Sequence, residues 1–421
     1  MDFAPSPNAA ALLARLQRFM DDLVLPSLAD WQRWADAGVY PLDVLQPLQA
    51  QARELGLWNL FLPTLQAGQP GTRVDHLDYA PLAECMGRVP WSAEVFNCSA
   101  PDSGNIELLQ RFATPAQRTR WLDPLLRGEI RSCFAMSEPD VASSDPTQLA
   151  TRIARDGEHW VLNGRKWFIT GAAHPLCRLA LVLARCEGAA DAHASHSMAL
   201  VPLDTPGLQV ERNIPVMDHQ ALEGHCEIVL RDVRIPADQL LGEPGSGFAM
   251  AQARLGPGRV HHAMRSIGQC ELALELMCER ALERRAFGGR IGDFANVQDW
   301  IAHSRLEIDQ ARLLVLQAAW KMDRLGNAAA RVDASAIKLV TAQLQTRVLD
   351  RAMQVFGAMG LTPDTPLARL WSWGRALRLL DGPDEVHLRT VARHELGRAK
   401  TRRGGNAPYL RRWMPVAEPP R

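Results

Sequence analysis

The chain has 421 residues, of which 47% are hydrophobic and 22% are charged, a composition typical of folded globular proteins and not of disordered ones. Lysine plus arginine and aspartate plus glutamate number 47 each, so we expect no general electrostatic affinity for nucleic acid or for an anionic membrane. A chain of this length is expected to form roughly two to four domains.

The cysteines and the N-terminus indicate a cytoplasmic protein. Eight cysteines are scattered without a C-x-x-C pair, which is typical of reduced thiols. No basic segment precedes the short apolar run near the N-terminus, and no apolar stretch approaches the ~18 residues of a membrane-spanning helix. A metal site would need Asp191, His193 and His196 to converge, and we expect none.

Residues 1–130 are predicted to form an N-terminal helical domain. Leu12, Leu16 and Phe19 recur at helical spacing near its start. The segment 114–117 resembles a helix start, because Thr takes the N-cap position, Pro the first helical position and Gln the third.

Residues 131–243 change to short segments rich in β-branched residues. Asp156-Gly157 is a hairpin signal between two such segments, and Asn163-Gly164 predicts a second turn. Several strands at short intervals predict a small antiparallel sandwich or barrel as the middle domain.

The helical period returns over residues 244–400. Long apolar-periodic segments end at Gly326 and at the glycine turn 357–360, which predicts a C-terminal helix bundle. The remaining residues 401–421 are basic and are predicted to be a solvated tail, with contact to phosphate or to a membrane as the alternative.

Four segments combine residue types suited to chemistry, and each also has an ordinary structural interpretation. The segments are 134–145 (FAMSEPDVASSD), 167–170 (WFIT), 283–288 (ERRAFG) and 379–387 (LLDGPDEVH). The ordinary alternatives are a surface loop, the aromatic core of a strand, cations at a helix C-terminus and a turn. In the last segment, an acid that follows apolar residues is expected to be desolvated, which raises its pKa and suits it to act as a general base.

The order and spacing of these segments resemble the acyl-CoA dehydrogenase family over about residues 1–398, in particular the branch whose larger eukaryotic members carry an additional kinase-like domain. The matching motifs are AMSEPDVASSD (135–145), NGRKWFITGA (163–172), ERRAFG (283–288), MQVFGAMG (353–360) and LLDGPDEVH (379–387). The resemblance implies a mainly α fold with a middle antiparallel β domain and a C-terminal four-helix bundle. It also implies FAD bound between the protomers of a homodimer or homotetramer.

The resemblance assigns roles to residues of this chain. Asp381 would be the catalytic base, and Ser144, Arg259 and Gly382 would bind the substrate. The residues expected to bind FAD are Phe134, Met136, Ser137, Ser143, Ser144, Phe168, Ile169, Thr170, Arg284, Phe287, Gln354, Gly357, Ala358, Gly360, Pro383, Asp384 and Glu385. Those from Arg284 to Gly360 would reach the FAD of the partner protomer.

The sequence departs from the family at the base. Asp381 stands where most members have Glu, and the position that carries the base in some other branches is Gly258. Because Asp is one methylene shorter, the substrate's α-carbon must lie roughly 1 Å nearer, or the turn must advance, to keep the ~3 Å contact that proton transfer needs. Pro383-Asp384-Glu385 replaces the usual Thr-x-Gln, and the segment 134–144 is one residue longer than the common form.

The resemblance implies a reaction of fatty acid metabolism. Asp381 would take the α-proton of an acyl-CoA while the β-hydride passes to flavin N5, which gives a trans-2-enoyl-CoA. Electrons would leave to an electron-transfer flavoprotein. Two alternatives remain open: an FAD-dependent oxidase of a small carbon acid, similar to nitroalkane oxidase, and a non-catalytic flavoprotein that acts as a binding module.

Overall fold

The computed structural model describes residues 2–186, 195–402 and 409, and its first part is entirely helical. The helices are α1 (Pro7–Phe19), α2 (Leu28–Asp36), α3 (Leu42–Glu54), α4 (His76–Gly87), α5 (Ser92–Val95), α6 (Asp102–Phe112), α7 (Pro115–Gln117) and α8 (Asp123–Leu126). The predicted helix start at 114–117 is confirmed as a capping box, in which Thr114 and Gln117 bond each other's backbone N–H groups. Asp191, His193 and most of the basic tail lie outside the described residues.

The middle part forms one eight-stranded sheet. Its strands are β1 (Arg131–Ala135), β2 (Arg152–Asp156), β3 (His159–Thr170), β4 (Cys177–Cys186), β5 (His196–Pro202), β6 (Leu208–Asn213), β7 (His225–Pro236) and β8 (Leu240–Leu241). The strand order is β6-β7-β3-β2-β4-β5-β8, and β1 pairs with β4. The pairs β1–β4 and β2–β4 are parallel and the others are antiparallel.

One of the two predicted turns in the sheet is correct. Asp156-Gly157 joins β2 to β3 as expected. Asn163-Gly164 does not form a turn, because β3 continues through it and only the register with β7 shifts between Leu162 and Gly164. A β-bulge also uses glycine and bends a strand without ending it, so the same residue types are compatible with both structures.

Strand β4 shows how the layers share the core. Leu179, Leu181 and Leu183 pack with the N-terminal helices, whereas the alternating residues Ala180 and Val182 lie in the interior of the β domain. Successive side chains of a strand point to opposite faces, so a continuous apolar segment is buried on both sides. The sheet is therefore covered by helices on one face.

The C-terminal part is a helical bundle followed by a short connection and a last helix. The elements are α9 (Gly247–Glu283), β9 (Arg285–Ala286), β10 (Gly289–Arg290), α10 (Ala295–Leu325), α11 (Arg331–Phe356), α12 (Leu367–Leu377) and α13 (Asp384–Thr401). The predicted stops are confirmed, because Gly326 ends α10 with φ 83° and Gly357 ends α11 with φ 66°. Within the described residues, no helix is long and apolar enough to cross a membrane.

Candidate active site

Asp381 lies in the turn between α12 and α13, and the backbone of this turn is held from three sides. Asp381 and Gly382 both have positive φ, 52° and 99°. The carbonyl of Asp381 accepts hydrogen bonds from Arg259 Nε at 3.0 Å and from His387 Nε2 at 3.3 Å. Lys338 Nζ donates to the carbonyl of Gly382 at 2.6 Å. Residues of α9, α11 and α13 therefore fix where the Asp381 side chain begins.

The carboxylate of Asp381 is enclosed but not sealed, with 25% of the side chain exposed. Burial by itself raises the pKa of this carboxyl, but His262, Arg254, Arg259 and Lys338 together outweigh burial and hold the pKa below its usual value of 3.8. The predicted rise in pKa is therefore wrong. The residues that reverse it come from α9 and α11, which lie far from the turn in sequence and are brought to it by the fold.

The backbone N–H of Asp381 is available to a ligand. No hydrogen bond joins it to another residue in the part of the chain that the structure describes. An N–H group beside an ionised carboxylate is a suitable donor for a carbonyl oxygen on which negative charge develops. This arrangement places a proton acceptor and a hydrogen-bond donor on the same residue.

The segment 134–145 is anchored to the sheet by a buried lysine. Lys166 is 0% exposed, and its Nζ donates to Met136 O at 2.9 Å, to Glu138 Oε1 at 2.8 Å and to Leu183 O at 2.7 Å. The carboxylate of Glu138 also accepts hydrogen bonds from the backbone at residues 150 and 151. The ion pair therefore ties the first half of this segment to β3, to β4 and to the chain just before β2.

The serines of this segment have different surroundings. Ser143 Oγ accepts a hydrogen bond from Glu138 N at 2.9 Å, and the Ser137 carbonyl accepts one from Trp167 N at 3.0 Å. Ser144 is exposed. Ser143 therefore has the structural role expected of a surface loop, because it bonds the backbone of the same segment. Ser144 is exposed and fits the other interpretation, a contact with a bound molecule.

The end of β3 projects an aromatic ring into solvent. Between Lys166 and Ile169 the register with β7 shifts, and Phe168 has φ 51° and a side chain that is 40% exposed. Ile169 is buried in the β-domain core, so only its backbone could touch a ligand. The Thr170 hydroxyl lies 3.0 Å from His225 Nδ1.

Phe134 links the sheet to α9. The guanidinium of Arg254 lies 4.0 Å from the centroid of the Phe134 ring, and its Nε donates to Asn105 Oδ1 at 2.9 Å. Burial raises the pKa of the nearby Glu107 to about 8, and Arg254 opposes the rise. At neutral pH the Glu107 carboxyl is therefore mainly protonated.

The sequence prediction missed three residues that act on the base, Arg254, His262 and Lys338. It also missed Glu107, which lies near Arg254. The adjacent histidines His261 and His262 did not indicate a shared site, because neighbouring residues on a helix point in different directions. The informative spacing was that of Arg259 and His262, three residues apart and therefore on one face of α9.

The remaining predicted residues form a second group at the other end of α9. Arg284, Phe287 and Gln354 are exposed, and the ring of Phe287 is 99% exposed. The guanidinium of Arg280 lies 5.5 Å from the Phe356 ring, which brings the C-terminal ends of α9 and α11 together.

The two groups are far apart within one chain. A helix rises 1.5 Å per residue, so Arg259 and Arg284 are separated by about 37 Å along α9. The structure does not bring the second group to Asp381. Gly357 and Ala358 are exposed with it, whereas Gly360 is packed so closely that a Cβ there would lie 2.7 Å from Met353 O.

The segment that follows Gly382 is used mainly within the chain. Asp384 is buried and its Oδ2 accepts a hydrogen bond from Arg378 Nε at 2.7 Å. Glu385 is exposed and Pro383 is half-buried. Of the three, Glu385 has the side chain available to a ligand.

Comparison with known proteins identifies the family. Sequence models of the N-terminal, middle and C-terminal domains of acyl-CoA dehydrogenases match residues 6–129, 133–233 and 245–396. The chain is 50% identical over 410 residues to "Probable acyl-CoA dehydrogenase FadE2" of Mycobacterium tuberculosis, and the match covers 95% of this chain and 98% of that one.

A chicken protein and a solved structure agree with this assignment. The chain is 43% identical over 408 residues to "Acyl-CoA dehydrogenase family member 11" of Gallus gallus, a match that covers 94% of this chain and 51% of the longer chicken protein. A solved acyl-CoA dehydrogenase homologue from Mycobacterium abscessus is 46% identical with a TM-score of 0.88, covering 94% of this chain and 99% of that one. The chain belongs to the acyl-CoA dehydrogenase family.

Proposed function

We propose that the protein is an FAD-dependent acyl-CoA dehydrogenase that converts an acyl-CoA thioester to a trans-2-enoyl-CoA, with Asp381 as the base. The observation that carries the proposal is the ionised, partly enclosed carboxylate of Asp381 beside its own unpartnered N–H. Dehydrogenation next to a thioester needs a group that accepts the α-proton and a donor for the carbonyl oxygen. One residue offers both.

Two exposed residues of the middle domain suit FAD. The exposed Phe168 ring, at the end of β3, offers an apolar face to a planar ring system, and the exposed Ser144 offers a hydroxyl. The segment 134–145 that carries Ser144 is joined to β3 by the Lys166–Glu138 ion pair. When bound, FAD supplies the acceptor of the β-hydride at flavin N5.

In the proposed mechanism the chain's own groups handle the proton and the carbonyl. A carboxylate oxygen of Asp381 takes the α-proton, and the Asp381 N–H donates a hydrogen bond to the thioester oxygen. Arg259 and Lys338 hold the turn carbonyls, so the carboxylate does not have to be repositioned during the reaction. Substrate that excludes water from the site weakens the hydration of the carboxylate and makes it a stronger base.

We further propose that the second group of predicted residues completes the FAD site of a partner protomer in a homodimer or homotetramer. The separation of about 37 Å along α9 supports this arrangement, because Arg284 is too far from Arg259, which contacts the base, to reach the same flavin within one chain. Leu282, Phe287 and Leu361 are all more than 60% exposed at this end of the bundle. A cluster of exposed apolar side chains is typical of a protein interface.

The partner for electron transfer and the location are also proposals. We infer that electrons leave to an electron-transfer flavoprotein, as the family resemblance implies, and that the reaction belongs to fatty acid metabolism in the cytoplasm. All eight cysteines are free thiols, which is compatible with a reducing compartment.

The decisive variant is Asp381→Asn in the FAD-loaded protein. We expect it to keep FAD and acyl-CoA binding and to lose at least ~10³-fold in the rate of flavin reduction, because Asn cannot accept the proton. The measurement is anaerobic stopped-flow absorbance with a panel of acyl-CoAs. Glu243→Gln, in the loop before α9, is the matched control, because it removes one exposed carboxylate at a position with no assigned role. Near-normal reduction by Asp381→Asn would refute the assignment.

The same panel separates the two alternatives. An oxidase of small carbon acids predicts that a nitroalkane bleaches the wild-type flavin where acyl-CoAs do not. A binding module predicts no bleaching by either class, and equal behaviour of wild type and Asp381→Asn.

A further inference from the structure

His262 lies beside the proposed base and has no part in the mechanism described so far. It follows Arg259 by one turn of α9, and its Nε2 lies 3.5 Å from Oδ2 of Asp381. Of the Lys, Arg and His nitrogens in the described part of the chain, only this one lies within 4 Å of that carboxylate. Arg259 and His387 bond the carbonyl of Asp381, so they fix its backbone and not its carboxylate.

The hydrogen-bond partners of His262 determine its tautomer. Arg265 is anchored through its NH1, which donates to Cys98 O at 3.0 Å, and its NH2 lies 3.5 Å from His262 Nδ1. A guanidinium only donates, so Nδ1 is the acceptor and the proton of a neutral imidazole lies on Nε2. The N–H of His262 is thus on the nitrogen that faces Asp381.

The imidazole is neutral at physiological pH. Burial lowers the pKa of His262 to about 4; the charge of Arg265 contributes in the same direction and Asp381 opposes it. The other charged or titratable groups that face this pair are Arg254, Arg259, Lys338 and His387. A neutral His262 donates a hydrogen bond without adding a further full charge to an already cationic surrounding.

We propose that His262 is a positioning residue for the base: its Nε2–H donates to Oδ2 of Asp381 and leaves Oδ1 to face the substrate's α-carbon. The inference rests on the proposed function. In the proposed reaction Oδ1 of Asp381 would take the α-proton and the double bond would form between the α- and β-carbons, with bound FAD supplying the acceptor for the hydride. His262 neither gains nor loses a proton in this step. A shorter acid contacts the α-carbon over a narrower range of orientations, so a fixed rotamer matters more for Asp than for a longer acid.

The first test compares FAD-loaded wild type with His262→Leu and His262→Gln. We expect His262→Leu to lower the limiting rate of flavin reduction roughly 10- to 100-fold with little change in acyl-CoA affinity, because the carboxylate is then free to rotate. His262→Gln keeps an N–H donor of similar reach and recovers part of the rate. His261→Leu is the matched control, since its ring faces Tyr79 at 5.1 Å and not Asp381.

The second test asks whether His262 acts through Asp381. In the Asp381→Asn background, His262→Leu should cause no further loss, because the carboxylate that it positions is absent. Multiplicative effects of the two substitutions would overturn the proposal, and so would a Gln variant as slow as Leu.

A third readout does not depend on turnover. With an acyl-CoA analogue that has sulfur in place of the β-carbon, the α-proton can leave but no hydride can follow, and the anion is detected as a long-wavelength absorption band with the flavin. We expect His262→Leu to move the pH midpoint of this band upward by about half a unit or more, because the carboxylate loses a donor to its charged form. If His262→Leu changes neither the midpoint nor the reduction rate, the role of His262 is refuted and the proposed function is not. If the wild-type flavin neither bleaches nor forms the band with any acyl-CoA, the proposed function is refuted as well.

Discussion

Three residues to which the family resemblance assigned ligand contacts have a strained backbone. Phe168, Phe287 and Asp381 have φ of 51°, 49° and 52°. Positive φ is tolerated by Asp but is unusual for an aromatic residue, and such a conformation costs of order 1–3 kcal/mol. The Phe287 ring is almost fully exposed, and the Phe168 ring is partly exposed, with its centroid 4.8 Å from that of Trp167. The strain is understandable if both rings pack on a ligand or a partner.

The ionisation state of Asp381 determines what the site must provide for proton abstraction. The carboxyl is ionised well below neutral pH, because Arg254, Arg259, His262 and Lys338 surround it. The site therefore does not need to deprotonate its base, but it must make a weak base strong enough for an α-proton. Exclusion of water by the substrate strengthens the base, and a fixed carboxylate rotamer helps in a different way, by keeping the oxygen oriented toward the α-proton.

Glu107 provides a prediction about stability that is independent of catalysis. Burial raises its pKa from 4.5 to about 8, so between these values the unfolded chain releases a proton that the folded chain keeps. Its contribution to stability is complete below about pH 4.5 and is lost as the pH rises to about 8. We expect Glu107→Gln to resemble wild type near pH 5 and to be more stable than wild type near pH 8. Thermal unfolding midpoints at both pH values measure the difference.

An exposed carboxylate supplies the control for this measurement. Glu243→Gln, in the loop before α9, should change the midpoint little and equally at both pH values. If Glu107→Gln shifts the midpoint by the same amount near pH 5 and near pH 8, its carboxyl is not protonated in the folded protein.

At the scale of elements, the segment 134–145 depends on one buried ion pair. Lys166→Met leaves the Glu138 carboxylate, which is 4% exposed, without its cation. Loss of one partner from a buried pair is expected to cost about 3–5 kcal/mol, and FAD affinity should fall with it because the loop loses its anchor. The double variant Lys166→Met/Glu138→Gln should recover part of the stability, since no unpaired charge remains.

The measurement for this pair is unfolding of the FAD-loaded protein, followed by circular dichroism and by the release of flavin fluorescence. If the double variant is as unstable as Lys166→Met alone, the packing of the lysine stem and not the charge pair holds the segment. If both variants release FAD at the wild-type temperature, the loop does not contact the cofactor.

Elements with local signals could be predicted from the sequence, and elements that depend on distant partners could not. The capping box at Thr114, the helix end at Gly326 and the Asp156-Gly157 turn each depend on a few neighbouring residues. Asn163-Gly164 was misassigned because a bulge and a turn use the same residues. The parallel pairing of β1 with β4 joins strands that are not neighbours in sequence, and no local pattern indicates it.

The candidate site shows the same division. Asp381, Phe168 and Phe287 were identified from motifs, since each lies in a short segment with its own signature. The predicted direction of the Asp381 pKa shift was wrong, because the deciding charges at residues 254–262 and 338 lie on other helices. The domain boundaries at 130/131 and 243/244 stay predictions.

At the scale of the whole molecule, a shared FAD site makes activity a property of two chains. Asp381 and Phe168 would come from one protomer, and Arg284 and Phe287 from its partner. The reason is that α9 separates Arg259, which contacts the base, from Arg284 by about 37 Å. Substitution of Arg284 and Phe287 should therefore abolish FAD binding without touching the residues around the base. We expect Arg284→Glu/Phe287→Ala to lose FAD while the fold, followed by circular dichroism, is retained.

Mixing two inactive variants tests the sharing directly. In a hybrid of Asp381→Asn with Arg284→Glu/Phe287→Ala, one site combines an intact base from the second variant with intact partner residues from the first. Random reassociation after mild denaturation with FAD should give hybrids in about half of the dimers, and so active sites in about a quarter of positions. Flavin reduction by an acyl-CoA in the mixture should thus recover to about a quarter of the wild-type amplitude. If each site were built from one chain, no mixture of the two variants could regain any reduction, because every protomer would carry a defect in its own site.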